Sequence, residues 1–180
     1  MKIYDCIFLD RDGTINFDPG YISSINDFQL FDFVIPALKR IAKLGNRFCI
    51  VTNQSGVARG LIKKKELVII HNFIVEEFKK HQIPLLNIYS CFDHPDSPTD
   101  RRKPGTGMFL DAKNDFNLDL KKCLIIGDSY IDIKAGFKLE MDTMLVLTGN
   151  GNTAARNLTE NEAPTYIVQD LNQGARELCL

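Results

Sequence analysis

Two aspartates one residue apart, Asp10 and Asp12, stand where the apolar run Cys6 to Leu9 ends, in the string FLDRDGTIN at residues 8 to 16. Alone they are turn chemistry, since Asp and Gly terminate many strands. Three later strings add to them. TNQS at residues 52 to 55 brings a hydroxyl and an amide, RRKPG at 101 to 105 brings Lys103, and GDSYID at 127 to 132 brings Asp128 and Asp132. Carboxylates collected in one place repel one another unless a cation joins them, and hard oxygen donors with few protein contacts suit Mg²⁺. A hydroxyl, an amide and an ammonium beside that cation supply what phosphate oxygens require. The chemistry that these groups fit is phosphoryl transfer.

Such groups must be carried to one place by the fold. Short apolar runs bounded by turn residues occur at Ile3 to Leu9, Arg47 to Thr52, Leu86 to Phe92, Cys123 to Ile126 and Thr143 to Leu147, each of a length that suits a buried strand. Between them, Val34, Leu38, Ile41 and Leu44 mark a helix closed by Gly45, and Leu67, Ile70, Ile74 and Phe78 mark a second closed before Pro84. Gly107 to Phe116 and Tyr130 to Leu139 read as two more. Alternating strands and helices predict an α/β fold, a doubly wound three-layer α/β/α sandwich around a parallel sheet, with ligands outside the carboxyl ends of the strands. The strings above each follow such a strand end, so they should converge on one crevice. The tail adds an edge strand at Tyr166 to Val168, a last helix from Leu171, and before them a polar loop from Gly149 to Pro164.

Composition narrows the rest. A chain of 180 residues, 44% hydrophobic, suits one domain over residues 1–180. Its formal charge of -1 comes from 22 basic and 23 acidic residues without a basic tract, which argues against nucleic-acid partners and leaves room for a small anion. No stretch approaches the ~20 apolar residues that a bilayer span requires. The start MKIYDCIFLD lacks the features of a signal peptide, so a cytoplasmic protein is expected, with no membrane partner. Five scattered cysteines predict reduced thiols rather than disulfides. With no long exposed apolar helix in the pattern, a monomer is expected.

The order and spacing of these strings resemble the haloacid dehalogenase superfamily of aspartate-nucleophile phosphatases, which carry DxDGT, a later Thr or Ser, a Lys and a terminal Asp pair. The resemblance implies that Asp10 attacks phosphorus to form an aspartyl-phosphate, while Asp12 protonates the leaving alkoxide and later deprotonates water. It implies Mg²⁺ held by the Asp10 carboxylate, the Asp12 main-chain carbonyl and Asp128, with Thr52, Asn53 and Lys103 on the transferring group. Longer strings, LDRDGTIN, DPGYI, TNQSGVARG, RKPGTGM and GDSYIDIKAG, resemble the D-glycero-D-heptose 1,7-bisphosphate phosphatases over about residues 3 to 148. The sibling histidinol-phosphate phosphatases share the catalytic set and supply the alternative substrate; an inactive domain that only binds a phosphorylated ligand is a further class, disfavoured by the presence of both Asp10 and Asp12. The resemblance implies substrate contacts from Asp18, Pro19, Gly20, Tyr21, Gln54, Ser55 and Arg102, and a heptose product for lipopolysaccharide core or a related glycan. The intervals from Thr14 to Val34 and from Asn53 to Lys103 leave no room for a separate cap domain.

Two departures stand out. Many relatives carry a zinc loop, C-x-H then C-x-C, just before RKP. Here the stretch is CFDHPDSPTDRRKP, with Cys91 kept but Asp93, Thr99 and Arg101 at the other three positions, so no structural zinc is predicted and the loop must be ordered by other means or stay mobile until substrate arrives. Ser129 stands where heptose phosphatases often have lysine. Asp132 reads equally as a helix cap or as a partner of metal-bound water, and Arg59 as a solvated charge or part of a positive mouth. His71 and His81 read as surface or half-buried, and Phe28, Phe31 and Phe33 as packing residues.

Overall fold

Each strand of the core shows its neighbours a different side chain on each face. In the computed structural model, which describes residues 2–159 and 162–180, six strands form one sheet: β1 (Ile7–Leu9), β2 (Phe48–Asn53), β3 (Leu85–Cys91), β4 (Leu124–Gly127), β5 (Asp142–Val146) and β6 (Tyr166–Val168). Their order is β3-β2-β1-β4-β5-β6, and every neighbouring pair is parallel. Ile7 and Leu9 of β1 face one apolar layer while Phe8 faces the other, the period of two that a strand covered on both sides must show.

Three helices cover the first face: α1 (Val34–Ala42), α2 (Lys64–Lys80) and α6 (Leu171–Cys179). They bury Val34, Leu38 and Ile41, then Ile70, Ile74 and Phe78, then Leu171 and Leu178, residues spaced three, four or seven apart that make one stripe per helix. On the second face, α3 (Gly107–Phe116) and α4 (Tyr130–Lys138) bring Met108, Phe109, Ala112 and Ala135 against Phe8, Cys49, Val51 and Ile125. Phe8 and Phe109 meet edge to face with ring centres 5.0 Å apart. The chain leaves β1 outward through β2 and β3, then returns to place β4 on its other side, so β1 and β4 flank the switch point at which doubly wound sheets open a crevice.

Several sequence expectations shift. The first strand starts at Ile7 rather than Ile3, because Tyr4 N donates to the Asn46 side chain (2.7 Å) and Asp5 N to the Lys122 carbonyl (2.9 Å), outside the ladder. The stretch Gly149 to Pro164 is not all loop: α5 (Gly151–Arg156) forms there and seats Ala154 against Ile133 and Leu145, while residues 160 and 161 of that stretch lie outside the described residues. The pattern behind the monomer expectation also differs, for α2 is a long helix with Val68, Ile69, Phe73 and Val75 exposed. Phe31 stacks on Phe33 and packs against Phe17, as packing residues do. All five cysteines are free thiols, and Cys6, Cys49, Cys91 and Cys123 are buried. Among the described residues no helix is long and apolar enough to cross a membrane. Between Thr14 and Val34 one three-residue 3-10 turn forms, Ile25–Asp27, and between Asn53 and Lys103 only α2 and β3, so neither interval holds a cap.

Candidate active site

Asp10 leaves β1 with one last sheet hydrogen bond, its N donating to the Ile126 carbonyl at 2.9 Å, which sets its carboxylate beside Asp128 at the end of β4. The chain then turns sharply. The Arg11 carbonyl accepts from Thr14, Ile15 and Asn16 N at 3.3, 2.9 and 3.3 Å, and Gly13 takes φ +79°, a left-handed conformation that suits glycine. A Cβ on either Gly13 or Gly149 would lie 2.1 Å from Asp128 Oδ2, so these two positions admit the carboxylate because they lack a side chain. Asp128 Oδ2 accepts from Asn150 N at 2.7 Å, and Thr148 Oγ1 donates to the Gly13 carbonyl at 2.6 Å. The β5–α5 connection thus belongs to the site, and sequence reasoning missed it. Its signal was the string TGNG after a strand end, the same topological cue that marked the other motifs.

Lys103 reaches this cluster from the loop before α3. Only 2% exposed, its Nζ meets Asp10 Oδ1 and Asp132 Oδ1 at 2.6 Å each and donates to the Val51 carbonyl at 2.8 Å. Asn53 holds the lysine backbone with a reciprocal amide pair: Lys103 N donates to Asn53 Oδ1 (3.0 Å) and Asn53 Nδ2 to the Lys103 carbonyl (3.1 Å). Asp132 does act as a cap, its Oδ2 accepting from Ser129 N at 3.2 Å, and its other oxygen faces Lys103.

Asp12 is fixed from three sides. Arg11 donates through Nε (3.0 Å) and Nη2 (2.8 Å) to Asp12 Oδ1 and through Nη2 to Oδ2 (2.8 Å). Asn16 Nδ2 adds a bond to Oδ1 at 2.9 Å, and Gln54 Nε2 one to Oδ2 at 2.7 Å. The same Gln54 nitrogen donates to Thr52 Oγ1 at 2.9 Å, so the amide links Thr52 to Asp12. Arg11 Nη1 makes a longer contact to His71 Nε2, 3.4 Å. Arginine only donates, so that nitrogen accepts and the ring proton sits on Nδ1. Burial, with the adjacent guanidinium, lowers the His71 pKa to about 4, and the ring is neutral at pH 7.

Charge in the cluster is unbalanced. Ligand atoms of Asp10, Asp128 and Asp132 lie within 4.8 Å of one another, and one ammonium cannot neutralise three carboxylates. Burial holds Asp10 well above the usual carboxylate range; Lys103 pulls it down, while Asp132 and Asp128 push it further up. Burial and then Asp132 push Asp128 up to about 7, against the opposing pull of the Asn150 N–H. Burial opposes the charge on Lys103, but Asp10 and Asp132 outweigh it and keep the ammonium protonated. Asp10 and Asp128, hard oxygen donors disfavoured as anions by burial and by neighbouring carboxylates, fit a divalent cation such as Mg²⁺.

Around the cluster lies a cavity of about 220 Å³. Asp10, Asp12, Thr52, Asn53, Lys103 and Asp128 all line it, as do Asp18, Gly20, Tyr21, Gln54, Ser55 and Arg102. Ser129, Asp132 and Asn150 join them. Pro19 and Arg59 do not, and both are exposed. The loop from Cys91 to Arg102 is ordered by a polar staple: Asp93 Oδ2 accepts from Thr99 N (2.8 Å) and Oγ1 (2.6 Å), and Thr99 Oγ1 accepts from Arg101 N (3.2 Å). The three residues at the absent zinc-ligand positions therefore bond to each other. Arg101 also pairs with Asp111, and Arg102 Nη1 donates to the Asp93 carbonyl at 3.4 Å.

Against known proteins, a HAD-hydrolase-like family model matches residues 100–174. A D-glycero-beta-D-manno-heptose-1,7-bisphosphate 7-phosphatase of Photorhabdus laumondii is 38% identical over 174 residues, covering 92% of this chain and 90% of the relative. The chain belongs to the heptose-1,7-bisphosphate 7-phosphatase family of HAD-like hydrolases. This phosphatase is also 36% identical, over 141 residues, to a D-glycero-alpha-D-manno-heptose-1,7-bisphosphate 7-phosphatase of Campylobacter jejuni, covering 78% of this chain and 81% of the relative. In three dimensions it matches the D,D-heptose 1,7-bisphosphate phosphatase of B. bronchiseptica, solved with magnesium and phosphate. The TM-score is 0.87 at 30% identity, covering 99% of this chain and 98% of the other.

Proposed function

We propose that this phosphatase removes the 7-phosphate of D-glycero-D-manno-heptose 1,7-bisphosphate through an aspartyl-phosphate on Asp10, with Mg²⁺ as cofactor. The observation that carries the reading is the buried set Asp10, Asp128 and Lys103 around one cavity, in a chain 38% identical to an enzyme named for that substrate. A bound Mg²⁺ would be held by the carboxylates of Asp10 and Asp128 and by the Asp12 carbonyl, and would supply charge neutralisation for the transferring phosphoryl group.

The protein's own groups do the rest. In the first step an Asp10 oxygen forms a bond to phosphorus as the bond to the C7 oxygen breaks, and Asp12 gives its proton to the departing alkoxide. In the second, water attacks the same phosphorus, Asp12 takes the water proton, and the bond from phosphorus to Asp10 breaks to release phosphate. Lys103 and the Thr52 hydroxyl hold the transferring oxygens, while Asn53 fixes the Lys103 backbone and Gln54 the Thr52 hydroxyl through the pairs described above. Arg102 offers a planar fork to the 1-phosphate or the sugar hydroxyls, and Asp18, Gly20, Tyr21 and Ser55 form the rest of the rim.

Phosphate release with Mg²⁺ from both heptose 1,7-bisphosphate anomers, histidinol phosphate and fructose 1,6-bisphosphate tests the reading. Turnover of a heptose anomer, with ³¹P NMR showing the 1-phosphate retained, is the expected result. Turnover of histidinol phosphate alone would replace the substrate and leave the chemistry.

A further inference from the structure

The largest fully buried side chain of the protein is not a core hydrophobe but Arg11, at 0% exposure, in the middle position of the string DRD. Taking a guanidinium out of water costs several kcal/mol before any partner repays it, and an apolar side chain of similar volume fills such a space more cheaply. Its hydrogen bonds are directed. Three of its hydrogen bonds go to Asp12. Beyond Asp12, its guanidinium lies against the neutral His71 ring at 3.4 Å and the face of Phe28 at 5.9 Å. Nothing about the turn itself needs the charge, since the bonds that close the turn run to the Arg11 carbonyl.

Resting on the mechanism above, we infer that Arg11 is the positioning residue of Asp12, a rigid fork braced by His71 and Phe28 that holds the proton-transfer carboxylate at one orientation. The geometry supports this beyond simple pairing. Adjacent residues on an extended chain point apart, and here the turn from Arg11 to Asn16 brings a fork and an amide onto the same carboxylate. A freely rotating Asp12 would have to find the leaving oxygen anew in each turnover, whereas a locked one meets it where the substrate is bound. Lysine at this position would keep the charge and lose the fork.

The test compares substrates that differ in their need for a proton. An alkyl phosphate of the panel above has a poor leaving group, and p-nitrophenyl phosphate a good one that departs unprotonated. With Arg11→Lys, kcat on the alkyl phosphate should fall about 100-fold with KM within about twofold, while first-turnover p-nitrophenolate release falls less than about threefold. In an Asp12→Asn background the same substitution should lower alkyl turnover by less than about threefold, because its effect runs through Asp12. Parallel losses on both substrates, or an undiminished loss in the Asp12→Asn background, would overturn the inference and mark Arg11 as a structural ion pair. Should Arg11→Lys fail to fold, His71→Leu removes only the brace, and an unchanged ratio of the two substrates' rates in that variant overturns the inference equally. Activity surviving in Asp10→Asn would instead overturn the aspartyl-phosphate reading, and the role of Arg11 with it.

Discussion

The ends of β1 and β4 and the loop from Cys91 to Arg102, which reaches the same cavity through Arg102, are built in opposite ways. Around the strand ends the charges are interior: Asp128 and Lys103 are each 2% exposed, Lys103 is held between Asp10 and Asp132, and Gly13 and Gly149 leave the room that the Asp128 carboxylate fills. Along the loop Asp93 and Arg101 are half-buried, Thr99 is exposed, and the three hold each other by hydrogen bonds alone. Buried charges tolerate few replacements because each loss leaves a partner unpaired. A staple of hydrogen bonds near the surface can be exchanged for another of different chemistry at less cost. On the proposed mechanism, the reacting groups are thus held where the fold is least able to change, and the loop that carries Arg102 where it is most able.

The contrast is open to being broken, most sharply at its centre. Asp10→Asn should lower turnover by at least about 10⁴-fold with the circular dichroism spectrum unchanged, since on the proposed mechanism only the nucleophile is lost. Gly13→Ala places a methyl group on Asp128 Oδ2 at a left-handed φ, and should cost about 100-fold in turnover and about 1–3 kcal/mol of stability by thermal melting.

A pH test follows from Asp128. Its carboxyl, pushed up to about 7, must be ionised to take a cation, so Mg²⁺ affinity measured calorimetrically should fall up to about tenfold per pH unit as pH drops below 7. For the metal-free protein the sign reverses: a folded-state pKa above the unfolded value stabilises at low pH. Asp128's share of stability is therefore lost between its unfolded value of 3.8 and about 7, and Asp128→Asn should flatten the melting-temperature profile there. The smallest effect belongs to the staple behind Arg102. Asp93→Ala should raise KM about fivefold to tenfold with kcat within about twofold, and an equal fall in kcat would show that the staple also shapes the reacting centre.

Much of this was legible in the residues. The order of strands and helices follows from alternating apolar runs and three-to-four spacing, and the strand-end motifs follow from topology. What stayed hidden depended on contacts distant in sequence. Arg11 occupies the free position of its motif, and its meaning emerges only when His71, read as surface or half-buried, arrives from α2 sixty residues later. Asn53 and Gln54 read as ligand contacts, while their amides are tied to Lys103 and Asp12 by pairings that no local pattern announces. Helix α5 escaped because a six-residue polar segment is held by tertiary contact rather than by propensity.

The interior thiols bear on how the fold opens. Cys6 is pushed far up by its neighbour Cys49 and by burial, and burial pushes Cys123 up to about 12, so neither offers a thiolate to a reagent in the closed state. Cys179, partly exposed near the end of α6, is the one cysteine that a reagent meets without opening of the core. Alkylation should therefore proceed as one rapid modification followed by a slow phase whose rate reports how often the sheet beneath Asp10 and Asp128 comes apart.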